Sequence, residues 1–179
     1  MIEPKAKQIL EETFQDVLTM LGLPPLPYTF VYEKMGGRFL TMENSEEVDN
    51  TNHIIYVNEE WANAMLKDCP YDLYYLQAHE ARHVYQHMQV ILMRTGGQPK
   101  EDRALVVSWM VNIQNYQRNL RGNTVLPYQR QPVEVDANAF ANFYVLVKGI
   151  GGARVPAESD DLVTQRLKEI AVQYGMVIK

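Results

Sequence analysis

Residues 77–87 read QAHEARHVYQH, and the meaning of the four-residue step from His79 to His83 depends on what the chain around it does. The run from residue 71 to 94 has the length and composition of one long helix, closed by Gly96-Gly97 and Pro99. On a helix, residues i and i+4 share a face with β-carbons about 6 Å apart. Two imidazoles so placed can converge on one Zn²⁺. Glu80 is rotated by about 100° from His79, which sets its carboxylate beside the metal rather than on it, where it can activate metal-bound water as a general base. His87 lies about 12 Å along the axis from His79, too far for the same ion.

Working outward, the N-terminal side reads as a helix followed by strands. Ile9, Leu10, Phe14, Val17, Leu18 and Leu21 recur at helical spacing over residues 4–21. Three β-prone runs follow: YTFVYE from 28, GRFLTM from 37 and HIIYVN from 53, separated by Gly36-Gly37 and the acidic stretch ENSEEVDN. They predict a small sheet of about three strands. On the C-terminal side, helices are predicted at about 59–68, 71–94, 100–121, 132–148 and 159–174. The helix at 100–121 would carry Leu105, Trp109, Ile113, Tyr116 and Leu120 on one stripe. With no repeat, low-complexity tract or linker, residues 1–179 read as a single domain.

A catalytic zinc site takes three protein ligands and keeps a fourth position open, so the histidine pair needs one more. His53, at the start of a strand beside a polar loop, reads as an exposed or capping residue. The better candidate is Glu134 in QPVEVDANAFANFY, in the first turn of a helix opened by Pro132; Asp136 or a histidine is the alternative. Asn138, one turn beyond Glu134 on the same face, can hydrogen-bond a ligand histidine. An oxyanion-stabilising group is not singled out: Tyr128 and Tyr144 flank the region, among eleven tyrosines.

The pair HEARH and EVDANAFA resembles the zinc-binding pattern of the ImmA/IrrE-type peptidases and the related minigluzincins, in the gluzincin branch of zincins. The resemblance covers roughly residues 53–145. It implies an α+β, mainly helical zincin-like metallopeptidase domain with Zn²⁺ as cofactor, His79, His83 and Glu134 as metal ligands, and Glu80 as base. Two departures stand out: Arg82 occupies a position where many relatives carry a small residue, and the interval from His83 to Glu134 is long, as if the helix near 100–121 were inserted.

The remaining features bound the environment. A net charge of −5 argues against nucleic acid as the main ligand, and Arg118, Arg121 and Arg130 form only a thin cluster. The single cysteine, Cys69, cannot form an internal disulfide and reads as a packed thiol near a helix end. Charges run throughout the first twenty residues, unlike a signal peptide, and no apolar window is long enough for a membrane span. The expectation is a cytoplasmic, zinc-dependent metallopeptidase acting on a peptide or protein substrate. The alternative is a non-catalytic binding protein that keeps the fold and a structural or vestigial zinc. Ile54, Ile55, Tyr56 and Val57 are expected to form a sheet edge that binds an extended substrate by main-chain hydrogen bonds.

Overall fold

The computed structural model describes residues 1–23, 28–34, 53–117 and 128–177, and the backbone of 40–44. The described chain is mainly helical with one three-stranded sheet, an α+β arrangement. It divides into two compact units, Met1–Tyr85 and Gln86–Lys179.

In the first unit, Pro4 opens helix α1 (Pro4–Met20), whose apolar stripe of Ile9, Leu10, Phe14, Val17 and Leu18 is buried. Proline fits there because a first-turn N–H has no intrahelical partner to lose. Strands β1 (Tyr28–Glu33), β2 (Leu40–Asn44) and β3 (His53–Asn58) form a sheet in the order β1-β3-β2. Phe14 of α1 meets the rings of Tyr28 and Phe30 at centroid distances of 4.9 and 5.5 Å. At the far end of β1, the Tyr32 hydroxyl donates to Glu11 at 2.9 Å.

The strand order corrects the expectation for Ile54, Ile55, Tyr56 and Val57. β3 pairs parallel with β1, Tyr56 opposite Val31, and antiparallel with β2, Tyr56 opposite Thr41. A middle strand has its main-chain groups taken on both sides, so these four residues are not a free edge for an added peptide. Ile55 and Val57 are wholly buried. The same period-two alternation puts His53 on their face and buries it too, so it is neither exposed nor a cap. The capping role falls to Asn58, whose side chain accepts from the N–H groups of Glu60 and Trp61 and starts helix α2 (Glu59–Asp68). Cys69 follows, partly buried, at the end of α2. Helix α3 (Pro70–Arg94) begins immediately after it and crosses the boundary between the two units.

The second unit centres on helix α5 (Pro132–Val147), buried at almost every position from Val133 to Val145. Around it pack α4 (Arg103–Gln114) and α6 (Asp160–Gln173). α4 is shorter than the predicted 100–121. Asp102 caps its start by accepting from Ala104 and Leu105 N–H, and Asn115 ends it with its amide on the Val111 carbonyl at 2.8 Å. Its buried residues are Val106 and Trp109, whereas Ile113 is exposed. Arg118, Leu120 and Arg121 lie outside the described residues, as do Gly36-Gly37 and most of the acidic stretch. None of the described helices is long and apolar enough to cross a membrane.

Candidate metal centre

α3 carries the histidine pair in mid-helix, where the backbone is most regular. Its end is fixed by Gly96 in the left-handed region (φ 84°), which lets the Gly97 N–H reach back to the Leu92 carbonyl at 2.8 Å. Leu73, Ala78, Ala81 and Val84 are fully buried along the helix. Arg82, the unexpected residue of the motif, is buried with its guanidinium 4.4 Å from the centroid of the Tyr85 ring. The ring face is one of the contacts that receive this long cation inside the motif. His79 is buried and His83 half-buried. Their rings meet edge to face, and the two Nε2 atoms are 3.0 Å apart. Glu80, next to His79, is half-buried.

Glu134 is positioned by the start of α5. Pro132 sets the first turn, and Gln131 before it spends its side chain on a different task. The Gln131 amide donates to the carbonyls of Gln117 (3.0 Å) and Tyr128 (3.2 Å) and accepts from the Gln117 N–H (2.8 Å) and the Asn112 amide (3.0 Å). Asn112 in turn accepts from the Val133 N–H at 3.2 Å. This clamp ties the chain leaving α4 to the chain entering α5. It delivers Tyr116, whose hydroxyl donates to Glu134 Oε1 at 2.6 Å. Burial, then the negative charge of Glu134, push the Tyr116 hydroxyl well above the ordinary tyrosine range, so it stays a donor.

Asp136, two residues on, is engaged elsewhere, and it is Glu134 whose carboxylate groups with the two histidines. One Asp136 oxygen accepts from Gln86 at 2.7 Å and the other from Arg166 at 2.8 Å. Arg166 also reaches Glu101 (3.3 Å) and the exposed Glu169 (3.2 Å), so a network with a buried Asp136–Arg166 pair at its centre fixes α6 on α5. Asn138 is buried and its backbone carbonyl accepts from the Asn142 amide at 2.9 Å. His87 is half-buried, and burial, then Arg94, hold its pKa below the usual histidine value.

His79, His83 and Glu134 each offer one ligand atom, and these atoms lie within 4.8 Å of one another. Two imidazole nitrogens and one carboxylate oxygen match the donor set of catalytic zinc sites. Zn–N bonds of about 2.0–2.1 Å at tetrahedral angles put two ligand nitrogens about 3.3 Å apart. The 3.0 Å between the Nε2 atoms is within a small side-chain rotation of that spacing, so the histidine pair suits the ion, and the wider spans of up to 4.8 Å would have to close by side-chain rotation to seat it among all three donors. No protein-family model, curated protein or solved structure matches this chain.

Sequence reading places Tyr116 on the stripe of a helix at 100–121, whereas that helix ends at Gln114 and Tyr116 follows it. Its signal in the sequence is faint: only the flanking amides Asn115 and Gln117 set it apart from the other tyrosines.

Proposed function

We propose that this protein is a zinc-dependent metallopeptidase of the gluzincin kind, with His79, His83 and Glu134 holding the ion and Glu80 acting as general base. The observation that carries the reading is the HEARH stretch on one continuous helix, with ligand atoms of both histidines and of Glu134 within 4.8 Å. Zinc, when bound by two histidines and a carboxylate, supplies a Lewis acid that acidifies water and polarises a carbonyl. The chain's own contribution is positional and protonic. α3 fixes the two imidazoles relative to each other, and α5 presents the carboxylate from its first turn. Glu80 accepts a proton from the attacking water and returns it to the departing amine. The substrate is a peptide or protein.

The test separates metal from chemistry. Purified protein is expected to hold about one zinc per chain, measured by elemental analysis, and to cleave an unfolded protein such as reduced casein. Glu80→Gln keeps size and polarity but cannot act as base. It is expected to retain zinc and lose turnover by several orders of magnitude. Zinc without cleavage in the parent would instead make the chain a binding protein, and zinc lost together with activity in Glu80→Gln would make Glu80 a structural residue.

A further inference from the structure

We propose that Tyr116 is the positioning residue of the metal centre, holding Glu134 so that the carboxylate meets the ion in one fixed orientation. This rests on the reading of Glu134 as a ligand and goes beyond it. A free carboxylate in the first turn of a helix samples several side-chain rotamers and can bind an ion through either oxygen or both. Here a short O–H···O bond of 2.6 Å, the length expected for a hydroxyl donating to a charged oxygen, engages Oε1. The carboxylate so held offers an ion one oxygen at a time rather than a freely rotating pair.

The hydroxyl can do this only if the tyrosine is held, and three side chains, Gln131, Asn112 and Tyr128, hold it or the backbone beside it. Gln131 grips both the N–H and the carbonyl of Gln117, the residue after Tyr116, as a neighbouring strand would. Asn112 links that glutamine to the Val133 N–H, one residue before Glu134. The Tyr116 ring rests edge-on against Tyr128, with centroids 6.0 Å apart. Tyrosine donor and carboxylate acceptor are therefore anchored to the same short piece of backbone at the start of α5.

Partners that orient a metal ligand are each worth about 10- to 100-fold in metal affinity. Tyr116→Phe removes one oxygen and keeps the ring. In competition with a chromophoric chelator, it is expected to bind zinc 10- to 100-fold more weakly than the parent. The visible spectrum of the cobalt(II)-loaded variant is expected to shift from that of the cobalt-loaded parent, because the carboxylate is no longer fixed. The metal-free melting temperature, expected within a few degrees of the parent's, reports whether the fold is the same. A purely structural tyrosine would lower that temperature and leave the cobalt spectrum alone. If parent and Tyr116→Phe bind zinc equally and give superimposable cobalt spectra, the inference is overturned while the metal site stands. If the parent itself binds no zinc, the site and this inference fall together.

Discussion

At the residue scale, two carboxylates two positions apart on α5 do different work, and their partners tell them apart. Glu134 accepts from a neutral donor, the Tyr116 hydroxyl. Asp136 accepts from Gln86 and from the Arg166 guanidinium, with side chains 1% and 9% exposed for the aspartate and arginine. Breaking a buried ion pair by removing one charge typically costs about 3–5 kcal/mol, because the other charge is left uncompensated. Asp136→Asn is therefore expected to lower unfolding stability by a few kcal/mol in denaturant melts, near the low end because Glu101 and Glu169 still face Arg166. Its zinc affinity is expected to match the parent's. Glu134→Gln should show the reverse, with stability nearly kept and zinc affinity greatly reduced. Weakened zinc binding in Asp136→Asn at unchanged stability would reassign the third ligand to Asp136.

At the element scale, the helices were legible because their periodicity and their stops are local. Pro4, Pro132 and Gly96 each act on the turn they sit in, and α1, α2, α3, α5 and α6 all lie within a residue or two of their expected bounds. Strand order is a different kind of information. Alternation in HIIYVN shows which side chains share a face, but the neighbours of a strand are set by residues far along the chain. The stretch Ile54-Ile55-Tyr56-Val57 is continuously apolar, which masks the alternation of buried Ile55 and Val57 with half-buried Ile54 and Tyr56 and does not reveal that β3 lies between two strands. Given that central place, proline in β3 acts on the fold rather than on a substrate. Tyr56→Pro removes a ladder N–H and forces the ring between paired strands, a position proline does not occupy in sheets. The expected outcome is a loss of several kcal/mol, or of the folded state, seen in circular dichroism melts. A Tyr56→Pro variant as stable as the parent, altered only in its response to an extended peptide, would return β3 to the edge role. Tyr116 was hidden for the same reason as the strand order: its partner, Glu134, is distant in sequence and on another element.

At the scale of the whole molecule, the proposed ligand set joins a local pair to a distant carboxylate. His79 and His83 come within reach of each other in any helical turn, but Glu134 reaches them only in the folded chain. An ion held by all three therefore binds the native state and not the unfolded one, and stabilises it by mass action. At free zinc about 100 times the dissociation constant, that linkage gives about 2.7 kcal/mol. For a chain of this size each kcal/mol moves the melting temperature by about 2–4 °C, so zinc is expected to raise it by about 5–11 °C, and a chelator should reverse the rise. Removing the distant ligand leaves a histidine pair that can also form in residual helix of the unfolded chain. Glu134→Ala should then show a much smaller shift at the same zinc concentration, and His79→Ala with His83→Ala none. Calorimetry across this set decides the matter: a shift in Glu134→Ala as large as the parent's would mean that the metal, if it binds, is held by the helix alone.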